Sequence, residues 1–401
     1  MTGISSTVTG GVTAPSGFRA SGISAGIKAN GNLDLALLVS DRAATAAAVF
    51  TTNKAQAAPV LVSREHLNGG AVRAIIVNSG CANACTGDEG LRHAVDMAAA
   101  TARLVPCSPF EVLVASTGVI GVGLPIEKIQ NALPHAFEAL GADQGPQAAR
   151  AIMTTDLFPK EAATQIAIGG GTVTIGGMAK GAGMIEPMMA TMLGFVTTDA
   201  AVPKALLDRA LREAVNLTFN AITVDGECST NDCVMLLANG ASEVTIGEAS
   251  YRAFTDGLTA VCRELSLGIV RGGEGATKLV TVNVTGAASS DEARKAAKAI
   301  ANSPLVKTAI HGGDPNWGRL IAVAGRAGVA FELSRAAVTI GSIVLFKDGR
   351  PYDEAAPQAA EYLKGKDLTV SVDLGSGHAR STVWTCDLSA EYVRINADYR
   401  T

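Results

Sequence analysis

Aromatic side chains make up only 4% of this 401-residue chain, so its core has to be built from Ala, Val, Leu and Ile. Charge is sparse as well, 17% against 48% hydrophobic, which excludes an intrinsically disordered chain. The net charge is −4 and no block of Lys and Arg stands out, so no nucleic-acid partner is expected. No apolar run reaches the roughly 20 residues needed to span a bilayer, and no membrane partner is expected either. The opening MTGISSTVTGGVTAPSGF lacks the early positive cluster and apolar stretch of a signal peptide. Cysteine comes to seven, an odd number without a CxxC pair. Cys81 and Cys85 are spaced C-x3-C, and no second Cys/His pair completes a zinc set. The expectation is reduced thiols, no metal and a cytoplasmic location.

Familiar nucleotide and hydrolase motifs are missing too. Gly181 and Gly183 begin a GxGxxG pattern, but Glu186 stands in place of its third glycine, and there is no GxxxxGK[ST]. One GxSxG match runs from Gly22 to Gly26, with neither an apolar strand before it nor a periodic helix after it, so Ser24 reads as a loop residue. His311, in HGGDPNWGR, reads as a structural turn residue rather than a catalyst.

What is present is an alternation of strand-like and helix-like segments. Apolar, β-rich runs occur at 45-TAAAVF, 57-AAPVLVS, 72-VRAIIVNSG, 111-EVLVAST and 232-DCVMLLANG, and 163-ATQIAIGGGTVTIGG reads as a hairpin turning at its glycines. Helical periodicity appears at 89-EGLRHAVDMAAATARLV, 125-PIEKIQNALPHAFEAL, 202-VPKALLDRALREAVNLTF and 247-GEASYRAFTDGLTAVCREL, with Asp199 expected to cap the third. After about Gly275 the pattern restarts: the strand TKLVTVNV, the helix 290-SDEARKAAKAIA, strands with a KDG turn in AVTIGSIVLFKDGRP, a helix at EAAPQAAEYLKG and a final hairpin. Strands come in clusters, which predicts mixed or antiparallel sheets covered by helices, an α+β arrangement of the α/β class, rather than a doubly wound parallel sheet.

The densest oddity is 176-GGMAKGAGMIEPMMATMLGF, rich in Met and Gly yet holding Lys180 and Glu186. Burying a charge in such a run is expensive unless it is paired or used on a ligand; reaching solvent from a loop is the open alternative. At its centre lies Ala190-Thr191. A threonine hydroxyl is a weak nucleophile that needs a base. Were the chain cut before Thr191, the new α-amine, with a reference pKa of about 7.7–8.0, would supply that base from the same residue.

The run KGAGMIEPMMATMLGFVTTDA resembles the ornithine acetyltransferase (glutamate N-acetyltransferase) family of arginine biosynthesis. VNSGCANACTG near residue 80, ASTGVIG at 115–121, IMTTD at 152–156, STNDC at 229–233, HGGDPNWGR at 311–319 and the terminal INADYRT extend the likeness, in order, over almost the whole chain. The resemblance implies self-cleavage between Ala190 and Thr191, giving an α chain of 1–190 and a β chain of 191–401; the restarted pattern marks about 280–401 of the latter as a smaller C-terminal α/β domain. It implies an αββα sandwich like that of N-terminal-nucleophile hydrolases, assembled as an α2β2 heterotetramer. Thr191 is then the nucleophile, and Thr117 and Gly118 form the oxyanion hole. Thr154, Lys180, Thr191, Glu274, Asn396 and Thr401 contact the substrates N2-acetylornithine and glutamate. No cofactor is implied, while acetyl-CoA stays open as a co-substrate of a multifunctional enzyme. Glu227-Cys228 depart from the smaller or differently charged pair expected there, which leaves the role of that loop open. Three rival readings remain: a self-processing aminopeptidase or amidase of related fold, an acetyl-CoA-dependent glutamate acetyltransferase, and a binding protein that kept the fold without the chemistry.

Overall fold

In a computed structural model, which describes residues 5–186 and 192–398, the apolar stretch from Leu35 to Phe50 forms one long strand that serves two layers. The chain divides into two units. The first takes the residues up to Asn220 together with Glu227–Ile269; the second takes Ala221–Gly226 and the residues from Val270 onward.

In chain order the first unit contains β1 (Ser5–Thr7), β2 (Phe18–Ile23), β3 (Leu35–Phe50), α1 (Ala58–His66), β4 (Ala71–Cys81), α2 (Gly87–Leu104), β5 (Val112–Val119), α3 (Ile126–Glu138), α4 (Gly145–Ala151), β6 (Lys160–Ile168), β7 (Gly171–Lys180), β8 (Leu193–Thr198), α5 (Lys204–Leu217), β9 (Cys233–Ala238) and α6 (Glu248–Arg271), whose last turn passes into the second unit. Its nine strands run β1-β6-β7-β8-β9-β3-β4-β5, with β2 added on β3. Leu35–Val39 of β3 pair with β2 and β4, whereas Thr45–Phe50 pair with β9. Between them Asp41, Arg42 and Ala43 are exposed and the register with β4 slips, the signature of a bulge that bends a strand. The bend folds one half of the sheet over the other.

Side-chain alternation then sorts the residues by layer. Ala36, Leu38, Ile75, Val77, Leu113 and Ala115 share an inner core with Met178, Leu193, Phe195, Met235 and Leu237 of the other half. The intervening Leu35, Leu37, Val39, Ala74, Ile76, Val112 and Val114 face outward onto Ala94, Met97 and Ala98 of α2 and Ile129 and Leu133 of α3. On the opposite side α5 packs on β3 and β9, and α6 covers β6 and β7. The result is helices, sheet, sheet, helices. Burying one such large apolar side chain contributes about 1.5–3 kcal/mol, and Phe195 lies fully buried between the layers.

Several local expectations hold and two do not. β6 and β7 pair as the expected hairpin, with Gly169 and Gly170 both at positive φ in its two-residue turn. The run 57-AAPVLVS is helix α1 rather than a strand: Pro59 sits in the first helical turn, where its fixed φ fits and its missing N–H costs nothing. Asp199 does not cap α5, which starts after Pro203 without a side-chain cap. Its carboxylate instead accepts the N–H groups of Thr174 at 2.8 Å and Ser16 at 3.3 Å, tying β7 to the segment ahead of β2.

The second unit holds β10 (Leu279–Ala287), α7 (Ser290–Ala301), α8 (Pro304–Gly312), α9 (Trp317–Arg326), β11 (Ala337–Ile340), β12 (Ile343–Lys347), β13 (Arg350–Pro351), α10 (Ala356–Tyr362), β14 (Asp367–Asp373), β15 (Ala379–Cys386) and α11 (Ala390–Asp398). Its sheet order is β13-β12-β11-β14-β10-β15. The KDG turn joins β12 to β13 as read. The expected final hairpin is absent, because β10 inserts between β14, to which it is parallel, and β15, to which it is antiparallel. A single buried face makes this possible: Val280, Val282 and Val284 pack with Val370, Val372 and Val383 under Ala293, Ala297 and Ile300 of α7. Among the described residues no helix is long and apolar enough to cross a membrane.

Candidate functional site

The carboxyl end of β5 carries Thr117 and Gly118, paired in parallel with Ser79 and Gly80 of β4. Gly118 has φ +131°, and a Cβ there would collide with the Gly80 carbonyl carbon and the Cys81 nitrogen, so only glycine closes this strand end. Across the gap between the two sheet layers, β7 ends at Lys180, whose register partner is Leu193. Lys180 is 8% exposed, which removes the alternative of a solvent-reaching charge. Its Nζ donates to Thr117 Oγ1 at 3.3 Å, joining the ends of two strands from opposite layers. A hydroxyl that accepts from an ammonium keeps its own proton free to donate elsewhere.

Behind Lys180 lies Asp156, with its side chain fully buried. Asp156 Oδ1 accepts from Lys160 Nζ at 2.5 Å and from the Gly181 N–H at 2.7 Å; Oδ2 accepts from the Thr154 N–H at 3.0 Å. Burial alone would raise this carboxyl, but the ammonium groups of Lys180 and Lys160 and the Gly181 N–H outweigh it and hold the pKa at about 2. Lys160, also buried, is pulled below its usual value by desolvation against the attraction of Asp156. Lys28 completes the cluster, donating to the carbonyls of Leu33 and Met153, each at 2.7 Å. Burial, opposed by Asp34 and reinforced by Lys180, lowers its ammonium as well. Buried Asp34 in turn accepts the N–H groups of Ala25, Ile27 and Lys28, which fixes the loop around Ser24; Ser24 itself is an exposed loop residue, as read.

The STNDC loop, whose role the sequence left open, fastens the site from the β9 side. Asn231 Nδ2 donates to the carbonyls of Ala82 at 2.6 Å and Ser116 at 2.8 Å, the residues that follow β4 and precede Thr117. Thr51 Oγ1 donates to the Ser229 carbonyl at 2.9 Å, and Asn53 Nδ2 to that of Cys228 at 3.0 Å. Burial pushes the Cys228 thiol up, with the neighbouring charges of Asp232 and Glu186 acting the same way, so it stays a thiol. Glu186 is half-buried beside this loop. The N–H of Cys233 donates to the Met192 carbonyl at 3.1 Å, which fixes the chain just ahead of β8.

Ala190, Thr191 and Thr401 lie outside the described residues. In the second unit Glu274 is buried in the turn before β10, and Asn396 of α11 donates to its Oε2 at 2.9 Å, so these two expected substrate residues do meet. His311 lies in the last turn of α8, its Nδ1 2.7 Å from buried Asp387 Oδ2; Asp387 also accepts the N–H groups of Thr277 and Lys278. That is an anchor for the turn carrying Glu274, in keeping with a structural histidine. Among the described residues no three His, Cys, Asp or Glu side chains assemble as a metal set.

The fold brings Thr117, Gly118, Thr154 and Lys180, the residues named from the sequence, into one region. Sequence reading missed Lys28, Asp156, Lys160 and Asn231. Asp156 and Asn231 sat inside quoted motifs, and their polarity at buried positions was the available signal.

Fold and cluster together define an α/β protein with a charged, buried centre between two sheet layers. The chain belongs to the ArgJ family, whose pattern matches residues 19–401. The arginine biosynthesis bifunctional protein ArgJ of Symbiobacterium thermophilum is 51% identical, over 98% of this chain and 99% of that protein. The protein of the same name from Synechococcus sp. is 50% identical, over 98% of each. A crystal structure of arginine biosynthesis bifunctional protein ArgJ from Bacillus halodurans is 45% identical, covers 52% of this chain and 100% of that chain, and superposes with a TM-score of 0.51.

Proposed function

We propose that this enzyme moves the acetyl group of N2-acetylornithine to glutamate through an acetyl ester on Thr191, after cutting itself between Ala190 and Thr191. It is an arginine-biosynthesis enzyme of the ArgJ family, a glutamate N-acetyltransferase like the bifunctional relatives named above. The observation that carries the mechanistic reading is the Lys180–Thr117 hydrogen bond between the two layers, which leaves the Thr117 hydroxyl proton to donate, beside the Gly118 backbone, to a developing negative charge. The length of the solved Bacillus halodurans chain supports the cut: all of it matches 52% of this chain, and residues 191–401 make up slightly more than half.

In the cut, Thr191 Oγ attacks the Ala190 carbonyl, the amide becomes an ester, and water releases the α chain. In transfer, Thr191 Oγ attacks the acetyl carbonyl of the donor while its α-amine takes the proton. The oxyanion rests on Thr117 and Gly118. The C–N bond breaks, ornithine leaves with the proton, and the α-amine of glutamate then attacks the ester to give N-acetylglutamate. Lys180 and Thr154 hold the substrate carboxylate end; Glu274, oriented by Asn396, and Thr401 take the ornithine end. No cofactor takes part, acetyl-CoA serves as a second donor to glutamate, and the cleaved chains work in the cytoplasm as α2β2.

Intact mass of the purified protein, before and after incubation with N2-acetylornithine, tests both halves of this scheme. Two fragments, with one acetyl gained on the fragment beginning at Thr191, are expected; an unbroken active chain or an acetyl on another side chain would refute it. Glu274→Gln is expected to raise KM for N2-acetylornithine about 10-fold or more while sparing the glutamate half-reaction, since a charge-assisted contact is worth about 1.5–3 kcal/mol. An unchanged donor KM removes Glu274 from the scheme.

A further inference from the structure

We propose that Asp156 is a positioning residue of this site, holding Thr154 and Lys180 in place for the substrate with Lys160 as its fixed counter-ion. The inference rests on reading Thr154 and Lys180 as substrate residues, and it adds a role that neither motif nor resemblance assigned.

The geometry is specific. One carboxylate gathers a backbone N–H from Thr154 itself and another from Gly181, the residue that follows Lys180. Thr154 lies in the turn ahead of β6 and Gly181 just past the end of β7, side by side in the hairpin where Lys160 pairs with Ala179. A loss of this carboxylate frees both at once. Lys160 is committed within the same turn, to Asp156 Oδ1 and to the Phe158 carbonyl at 3.3 Å, whereas Lys180 reaches forward to Thr117. Asp156 thus faces two ammonium groups, saturates one by direct contact and leaves the other directed at the reaction centre. Lys28, Lys160 and Lys180 against Asp34 and Asp156 leave one net positive charge, the complement of a single substrate carboxylate. A buried ion pair is a costly way to achieve packing alone, and an apolar pair of similar volume is often as stable. Its retention fits a site in which charge and direction matter more than stability.

The test uses purified, self-cleaved protein and reads melting temperature together with kcat and KM for N2-acetylornithine. Asp156→Asn leaves Lys160 buried without its partner, so the decisive variant is the double change Asp156→Asn with Lys160→Met. It is expected to melt close to wild type yet lose about 100-fold in kcat/KM, chiefly through KM, the scale of a misplacement of about 1 Å. Recovery of wild-type kcat/KM in the double variant would reduce Asp156 to a structural pair and overturn the proposal. A cycle with Lys180→Met gives a second reading: once Lys180 is gone, removing Asp156 should cost less than it does in wild type, the remainder coming through Thr154, and fully multiplicative losses would also overturn the proposal. Should the double variant not fold, Asp156→Glu, which keeps the charge and displaces it, runs through the same cycle with the same two outcomes. If wild-type protein transfers no acetyl group, the acetyl-transfer reading fails instead. The affinity for ornithine, measured by calorimetry on wild type and the same variants, then decides Asp156 by itself: weaker binding supports it and equal binding overturns it.

Discussion

Thr191→Ala is expected to give one unbroken polypeptide on a denaturing gel and no detectable acetyl transfer. Two functions depend on the same hydroxyl, so both should vanish together. The cut needs Thr191 Oγ as the attacking atom, and transfer needs it as the acetyl carrier. The α-amine that acts as base exists only after the cut. Removing a covalent nucleophile from a hydrolase costs on the order of 10⁶-fold in kcat, and here the loss of the base compounds it. The substitution removes a hydroxyl and a methyl, so the fold should persist, and an unchanged melting curve separates loss of chemistry from loss of structure. Thr191→Ser is the matching control: it keeps a hydroxyl and an α-amine, and both fragments and slower transfer are expected. Two fragments from Thr191→Ala would end the nucleophile assignment.

The second large effect is expected at Thr117. Thr117→Val keeps the volume and the β-branch that suits the end of β5, and deletes one hydrogen-bond donor. Loss of one oxyanion donor typically costs about 2.7–4 kcal/mol, or roughly 10²–10³ in kcat. The Lys180 ammonium, which now donates to Thr117 Oγ1, loses its acceptor as well, so the loss should lie toward the upper end. KM should change little, because the donor is aimed at charge that develops only in the transition state. Precursor cutting should slow in parallel, since the Ala190 carbonyl passes through the same kind of oxyanion. Thr117→Ser restores the hydroxyl and should recover most of the rate. A Thr117→Val enzyme with near wild-type kcat would show that the hydroxyl is not a donor to the reaction.

These expectations divide by how they could be reached. Strand and helix periodicity placed most elements of the first unit, because each layer is buried on two faces and the inward and outward residues alternate cleanly. It failed at 57-AAPVLVS, where a short apolar run has no period long enough to choose between helix and strand, and Pro59 favoured the helix. It failed again at the end of the chain, where two strands close in sequence are separated in space by β10, a partner some eighty residues upstream. Asp199 shows the same limit at one side chain: a capping residue by position is drawn to two distant N–H groups once the sheet brings them near.

Local pattern and motif were enough to reach the family, the mixed α/β class and the Thr117–Gly118 strand end. These are properties of short stretches, carried by residue type and spacing. The folded arrangement alone decided that Lys180 meets Thr117 across two layers, that Asp156 draws Thr154 and Gly181 together, and that Asn231 clamps the carbonyls of Ala82 and Ser116. The Lys180 and Asn231 contacts join segments far apart in the chain, brought together where the bend at Asp41–Ala43 turns one sheet back over itself, while Asp156 links neighbours within the β6–β7 hairpin. Buried polar groups brought together in this way must find one another or bear the cost of desolvation.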